Sequence, residues 1–382
     1  MTERFTRRRA LVASGGALTS ALAGCAGILT EDSGSPKPTL ADFRGKNPLV
    51  GDRPKPPGTS IADLEPLDGP LSIYLGGDDG GRHEQLITLF EDVYPDFEAD
   101  LHVGSPTDVA SDLRTEIEEG NVRADVFWAS NAGPVAALDE HMAELPKSVT
   151  STVRRDFRPT NRWVGVNAFV RAIAYDSKRF DRTTLPTDIG AYARDSPEPV
   201  AWSPRTSFFR SFVTALRHAR GTDGARSWLR DFLDRDPETT ESDFFAANAV
   251  ATGDASVALT NHYDVLRVRA GDPRTPLGLA YTDHDAGTLV DASTAGVLDR
   301  SPDRKLAGRF LRHLLSAEAQ EFFATRSFTY PTVASVTAVD ALPDLTTLSI
   351  PGISLAALGD VEETDSLLRD LGLRVSAPPK RS

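Results

Sequence analysis

The feature that constrains the fold most is a switch between two hydrophobic periodicities, repeated along residues 71–130. Short apolar runs that predict strands alternate with stretches whose apolar residues recur every three to four positions, which predicts amphipathic helices. In chain order these are LSIYL (71–75), RHEQLITLFEDVY (82–94), ADLHV (99–103), a helix carrying Val109, Leu113 and Ile117, and ADVFWAS (124–130). The last run is almost continuously apolar, as expected of a parallel strand covered on both faces. This alternation of strand and helix predicts an α/β fold.

A second α/β series follows RWVGVNAFVRAIAYDS at residues 162–177, which predicts either one long or two consecutive extended segments. Its members are PVAWS (199–203), helical patterns at 206–219, 224–235 and 242–254, ASVALTN (255–261), STAGVLD (293–299) and a helix pair at 302–325. A chain of 382 residues is long enough for two such units. We therefore predict two lobes around a cleft, each a mostly parallel sheet flanked by helices.

Polar residues stand where four of the predicted strands end and helices begin. They are Gly77, Asp78, Arg82 and His83 in LGGDDGGRHE, Ser130 and Asn131 in WASNAGP, Thr206 and Ser207 in WSPRTSFF, and Asn261, Tyr263 and Asp264 in TNHYD. Strand ends in open α/β sheets are where ligands bind, and helix N-termini offer unpaired N–H groups to anions. Helix capping alone also favours Ser, Thr, Asn and Asp at such positions. The sequence thus predicts a binding cleft and leaves open which of these residues only cap helices.

The composition argues against several classes of function. The formal net charge is −13, which is the wrong sign for a protein that binds nucleic-acid phosphates. Motifs of common hydrolases and transferases, such as G-x-S-x-G, H-E-x-x-H and the P-loop, do not occur in the sequence. The single cysteine, Cys25, excludes an intramolecular disulfide. We therefore expect a binding protein and not an enzyme.

The first 25 residues have the layout of an export signal. Twin arginines within TRRRAL precede a stretch of small and apolar residues that is too short for a membrane-spanning helix, and LAGC follows. Because LAGC resembles a lipobox, we expect removal of residues 1–24, a lipid on Cys25, and anchoring at the extracytoplasmic face of the cell membrane. Residues 25–68 are polar and rich in proline, which predicts a disordered stalk before a domain at 69–382.

Five stretches together resemble the ferric-ion-binding branch of the extracellular solute-binding proteins of ABC importers. They are ADVFWASNAGPVAALDE, WVGVNAFVRAIAYDSKRF, AWSPRTSFFRSFVTALR, ATGDASVALTNHYDVLRV and SAEAQEFFATRSFTYPTV, which lie in the expected order within about residues 70–335. The resemblance implies a two-lobed periplasmic-binding-protein type II fold, with lobe 1 at about 69–170 plus 288–382 and lobe 2 at about 175–287. It also implies a monomer, a membrane permease and its ATPase as partners, and Fe(III) as the transported cargo.

The resemblance is uneven at the binding residues. Members of this branch commonly have NHYY or NNYY, whose adjacent tyrosines ligate Fe(III); here Tyr263 stands at the first tyrosine and Asp264 at the second. Asn261, with the helix start at Thr206 and Ser207, matches residues that contact a synergistic anion such as phosphate. A glutamate ligand of some members falls near Ser130, so it is absent, and a histidine ligand falls near His83.

Tyr263 and Asp264 suit a hard trivalent cation. A phenol has a pKa of about 10, but a bound cation deprotonates a coordinating acid, and hard oxygen donors suit such an ion. Because a tyrosine and a glutamate are missing, a second interpretation stays open, in which the same fold binds a small anionic or zwitterionic solute such as a phosphonate or thiamine. A third is an extracytoplasmic enzyme or sensor subunit on this scaffold.

Overall fold

The computed structural model describes residues 37–77 and 80–373. The strands are β1 (Gly69–Gly76), β2 (Phe97–Gly104), β3 (Val126–Ala129), β4 (Trp163–Asp176), β5 (Val200–Trp202), β6 (Glu238–Thr239), β7 (Val257–Asn261), β8 (Leu277–Ala280), β9 (Val290–Val297) and β10 (Tyr330–Pro331). The predicted signal peptide, Cys25 and Asp78 lie outside the described residues.

The helices complete the α/β alternation predicted from the sequence. They are α1 (Leu40–Phe43), α2 (Arg82–Val93), α3 (Pro106–Glu119), α4 (Ala132–Ala136), α5 (Lys147–Thr150), α6 (Ile189–Tyr192), α7 (Ser207–Leu233), α8 (Asp243–Thr252), α9 (His262–Gly271), α10 (Arg304–Leu314), α11 (Ala317–Phe322) and α12 (Val361–Asp370). Within the described ranges, no helix combines the length and apolar character needed to cross a bilayer.

The strands follow the order β2-β1-β3-β9-β4-β7-β5-β6, with β8 and β10 also paired to β4. The first half of β4 pairs with β9 and β10, whereas its second half pairs with β7 and β8. This strand therefore runs from one half of the sheet into the other. The long extended segment predicted at 162–177 is a single connecting strand, and the two-lobed α/β architecture is confirmed.

Local sequence explains the helix boundaries near the cleft. Helix α3 begins after Ser105, whose hydroxyl accepts the backbone N–H of Asp108, and Pro106 occupies the first turn. The predicted helices at 206–219 and 224–235 are joined in α7, with an interruption at Gly221 where φ is +70°. A glycine adopts that left-handed conformation without the steric cost that a side chain adds.

The predicted disordered stalk is wrong for residues 37–68. Helix α1 buries Phe43, which is only 1% exposed, against the domain core. Arg44 and Arg53 both pair with the buried carboxylate of Glu321, their Nε atoms lying 2.7 and 3.1 Å from its Oε1. Composition suggested a stalk because the segment is rich in proline and polar residues, but its few apolar residues and arginines have partners far along the chain. We call residues 37–68 the N-terminal strap.

The C-terminal residues also depart from the predicted lobe boundaries. The whole stretch 288–382 was expected in lobe 1, but α12 packs on α7, which follows strand β5 of the other half of the sheet. Thr214 of α7 and Thr364 of α12 are hydrogen bonded at 2.9 Å, and Leu367 and Leu368 are buried. The amphipathic pattern of α12 predicts a buried face but does not say which surface will cover it.

One buried histidine predicts a measurable dependence of stability on pH. Burial lowers the pKa of His313 to about 4, and its ring lies between the Arg309 carbonyl and the Tyr94 hydroxyl. As pH falls from 6.5 to about 4, the unfolded chain takes up a proton that the folded ring does not, so folding stability is lost. The His313→Gln variant should lose about 3 kcal/mol less than the native protein over this window.

This prediction is checked by urea unfolding at several pH values. His102→Gln is the matched control, because the His102 side chain is 42% exposed. Equal pH slopes for the native protein and His313→Gln would contradict the assignment.

Candidate functional site

The strand-to-helix junctions predicted from the sequence converge on one region. A small cavity, open to solvent, is lined by Arg82, His83, Ser130, Asn167, Phe169, Phe208, Tyr263, Arg267, Ser293, Ser327 and Thr329. A much wider cleft adjoins it and takes in Gly77, Thr206, Ser207 and Asp264. Of the predicted residues that the structure describes, Asn131 and Asn261 line neither space and lie buried behind them.

Tyr263 stands in the first turn of α9 and faces the cavity. Its ring packs edge-on against Phe169 and Phe208, with centroids 5.6 and 6.3 Å away. The Asn261 amide donates a hydrogen bond to the phenol oxygen at 3.2 Å, and the Arg267 guanidinium lies 5.9 Å from the ring centroid. Aromatic packing thus fixes the ring, and Asn261 and Arg267 place a hydrogen-bond donor and a cation beside it.

Asp264 is buried beside Tyr263 and has a perturbed carboxyl group. Burial raises the pKa of Asp264 to about 7, nearby Asp243 adds to the rise, and Arg267 opposes it. The Arg267 Nη1 atom lies 3.6 Å from one carboxylate oxygen of Asp264, and Asn261 donates to the other at 3.3 Å. Asp264 lines the wider cleft and not the inner cavity. Its carboxyl group is therefore held by protein donors at the wall of the site.

A buried ion pair behind the cavity orients these groups. Arg171 on β4 donates to Asp243 at 2.8 Å and to the Asn261 side-chain oxygen at 3.0 Å. Burial raises the pKa of Asp243, and Arg171 is the largest opposing influence. The Thr206 hydroxyl donates to the same carboxylate at 3.4 Å. Arg171 and Asp243 were not predicted as site residues, because neither stands at a junction before the strands are assembled.

His83 places an imidazole ring in the cavity wall. Its ring is buried and stacks on Trp128 with centroids 4.0 Å apart. The Ser293 hydroxyl donates to the Ala129 carbonyl, so it fits as the acceptor for an N–H on His83 Nε2, which lies 3.3 Å away. A ring protonated on Nε2 carries its lone pair on Nδ1.

Ser130 and Asn131 have different roles although they are neighbours. Ser130 is buried at the cavity, and its hydroxyl has no hydrogen-bond partner among the described residues. Asn131 stands at the N-cap of α4, but its amide donates to the Ser211 hydroxyl of α7 at 2.9 Å. Asp291 on β9 accepts the N–H of Ala132 instead. Asn131 thus joins α4 to α7, whereas Thr206 caps α7 as predicted by accepting the N–H of Phe209.

His262 is a structural residue whose ring is held by backbone groups. The Val170 N–H donates to its Nδ1 at 3.0 Å, and its Nε2 lies 2.8 Å from the Phe328 carbonyl oxygen. Burial lowers the pKa of His262 to about 4, so the ring is neutral near pH 7. Both nitrogens are used by the backbone, which removes His262 from the set of possible ligands.

Few side chains at the described site have atoms that can act as ligands of a metal ion. Across residues 37–77 and 80–373, no three His, Cys, Asp or Glu side chains come together in a group able to hold a metal. In the described part of the cavity wall, Tyr263 and His83 are the residues with ligand atoms that transition metals favour, and Arg82 and Arg267 add two positive charges. This chemistry fits a metal that arrives with an anion, or an anion alone.

Comparison with known proteins places this geometry in context. A family model described as bacterial extracellular solute-binding protein matches residues 129–354. The chain is 25% identical over 273 residues to the major ferric iron-binding protein of Neisseria meningitidis serogroup B, covering 69% of this chain and 82% of that protein. It is 27% identical over 247 residues to iron uptake protein A2 of Synechocystis, covering 58% and 69%. The crystal structure of iron-bound HitA from Pseudomonas aeruginosa superposes with a TM-score of 0.74 at 26% identity, covering 80% of this chain and all of HitA.

Proposed function

The chain belongs to the bacterial extracellular solute-binding proteins, and on that premise we propose that it binds ferric iron together with an oxyanion. The observation that carries the proposal is that Tyr263, His83, Arg82 and Arg267 line one cavity. A phenolate and an imidazole are suitable ligands for iron, and guanidinium groups pair with oxyanions. The relatives named for ferric iron binding and iron uptake support the same cargo.

An anion is needed because the described residues supply too few ligand atoms to fill the coordination shell of an iron ion. Tyr263 and His83 leave most of the iron coordination open, and Asp264 is held by Asn261 and Arg267. An oxyanion placed between the iron and the two arginines completes the shell and accepts hydrogen bonds from the guanidinium groups. Thr206, Ser207 and Asn261, with Gly77 and the undescribed Asp78, remain part of this proposed site.

We further propose the setting in which this binding takes place. The protein is a monomer held at the extracytoplasmic face of the membrane by a lipid on Cys25, after export directed by residues 1–24. Its partners are a permease and the ATPase that drives it, and the two lobes close on the cargo about the connecting strand β4. Family membership supports the transport role, because the family is one of extracellular solute-binding proteins.

The proposal is tested by titrating the purified protein with Fe(III) in the presence and absence of phosphate or citrate. We expect a visible phenolate-to-iron charge-transfer band and a rise in melting temperature, both larger when the anion is present. If neither signal appears under any of these conditions, the protein does not carry ferric iron.

A second candidate function is binding of an anionic solute without a metal. The observation that favours it is that Arg82 and Arg267 line the cavity beside Ser130, whose hydroxyl has no hydrogen-bond partner in the described part of the chain. A melting-temperature rise with a phosphonate or thiamine in iron-free buffer, with no response to Fe(III), would replace the first proposal with this one.

If Arg267 and Arg82 bind the anion, replacing either of them should weaken cargo binding. Arg267→Gln should weaken binding of ferric citrate about tenfold or more, because a charge-assisted hydrogen bond contributes roughly 1.5–3 kcal/mol. Arg82→Gln should act in the same direction. Calorimetric titration measures both effects. Arg205→Gln is the matched control, since Arg205 lies exposed in the wider cleft but not in the cavity. Unchanged affinity in Arg267→Gln would contradict the anion site.

A further inference from the structure

The C-terminal segment that follows β10 crosses several times from one half of the sheet to the other and contacts both. The Tyr330 hydroxyl of β10, which pairs with the first half of β4, donates to the Pro343 carbonyl at 2.9 Å. Farther on, the Ser349 carbonyl accepts the N–H of His284, which follows β8 in the other half, at 2.6 Å. A 3₁₀ turn at Leu355–Gly359 then returns to α4, and α12 leaves it for α7.

The contact with α4 is close and apolar. Leu355 and Leu358 are buried beneath the 3₁₀ turn. Gly133 of α4 approaches this turn so closely that a Cβ added there would lie 2.9 Å from the Leu358 carbonyl oxygen. Gly359 approaches α4 in the same way, since its added Cβ would lie 2.9 Å from the Ala136 carbonyl carbon. Backbones packed this tightly have no space in which to slide.

The contact with α7 combines the buried face of α12 with two buried arginines. Arg217 binds the Thr364 hydroxyl at 2.8 Å and the Asp360 carboxylate at 3.3 Å, and it also pairs with Glu363. Arg210 pairs with Asp365 at 3.3 Å. The side chains of both arginines are only 5% exposed, whereas the three carboxylates are between 39% and 57% exposed.

One segment, Leu355 to Asp370, thus contacts both α4 and α7. Its 3₁₀ turn packs closely on α4, and α12 packs on α7 through the ion pairs of Arg210 and Arg217 and through an apolar face that includes Leu367 and Leu368. Moving α12 away from α7 breaks these ion pairs and exposes the two leucines to water, which costs free energy. The segment therefore opposes motion between α4 and α7.

We propose that the 3₁₀ turn and α12 form an interlobe clasp, which holds the lobes in the arrangement seen here and limits how far they rotate before cargo binds. The proposal concerns the lobes and does not depend on the identity of the cargo. In a binding protein that works by closure, such a clasp shifts the balance between the two lobe arrangements, because a stabilising contact made in only one of them favours that one.

The test uses the full chain with Cys25→Ser and spin labels on Ser111→Cys and Ser227→Cys. These serines are exposed on α3 and α7, one on each side of the connecting strand β4. The clasp variant is Asp360→Asn with Glu363→Gln. We expect amide exchange of α12 to accelerate about tenfold, the effect of losing one charge-assisted hydrogen bond. The label-to-label distance distribution, measured without cargo by double electron–electron resonance, should broaden.

The matched control is Glu65→Gln with Asp68→Asn, which removes two carboxylates that flank Arg309 away from the clasp. This control should leave the distance distribution unchanged. A second variant, Thr364→Val, removes the hydroxyl shared by Thr214 and Arg217 and should broaden the distribution as well. An unchanged distribution in both clasp variants, or equal broadening in the control, would overturn the proposal.

Discussion

Replacing Tyr263 with phenylalanine is expected to abolish the visible phenolate-to-iron absorption and to weaken Fe(III) binding at least about a hundredfold, since loss of an outer partner of a metal ligand alone costs 10–100-fold. The substitution removes one oxygen atom and keeps the ring that packs on Phe169 and Phe208. The apoprotein should therefore fold as before. The expected loss arises because the phenolate is the one anionic donor that the described cavity wall offers.

Spectrophotometric titration with ferric citrate measures both effects in one experiment. Tyr175→Phe is the matched control, because Tyr175 lies on β4 beyond the cavity and pairs with β7 and β8. This control should keep both the band and the affinity. A Tyr263→Phe protein that still develops the band would show that another residue is the ligand and would remove the main support for iron as cargo.

The second large effect is expected at the buried ion pair behind the site. Arg171→Met should lower the free energy of unfolding by about 3–5 kcal/mol, because it leaves Asp243 buried without its charged partner. The same change deprives the Asn261 side-chain oxygen of its donor at 3.0 Å, and Asn261 is the residue that donates to Tyr263. Cargo binding should therefore weaken together with stability.

A double substitution shows whether stability is lost because Asp243 is left without its charged partner or because the packing around residue 171 has changed. Arg171→Met with Asp243→Leu removes both charges, and apolar replacement of a buried pair is often neutral, so we expect most of the stability to return. Urea unfolding followed by tryptophan fluorescence measures each variant. Arg274→Met is the control, since Arg274 and Asp272 form an exposed pair whose loss should leave stability unchanged. A single Arg171→Met variant as stable as the native protein would contradict the role assigned to this pair.

The sequence predicted the cavity residues that stand at strand-to-helix junctions. Arg82, His83, Ser130 and Tyr263 line the cavity as a group. Arg267 was missed although it lies one helical turn after Tyr263 on α9, where a spacing of four residues places it on the same face. Ser293 and Ser327 carried no comparable signal, because they come from β9 and from the π-helical turn at Phe323–Ser327.

Two segments were misjudged for a common physical reason. The N-terminal strap and α12 both bind through charged residues whose partners are distant in sequence, such as Glu321 for Arg44 and Arg217 for Glu363. Composition describes how much apolar surface a segment can bury by itself. It does not show that another part of the chain presents a matching carboxylate or guanidinium group.

The sequence by itself determined the alternation of strands and helices and the positions of the junctions, because hydrophobic period and helix capping depend on residues a few positions apart. Tertiary structure decided that residues 163–176 form one connecting strand, which junction residues share the cavity, how the pKa values of Asp264 and His262 are shifted, and where the strap and α12 dock. Those properties depend on burial and on pairs such as His83 with Ser293, 210 residues apart, and Arg44 with Glu321, 277 residues apart. Only the assembled fold brings such groups together and removes the water around them.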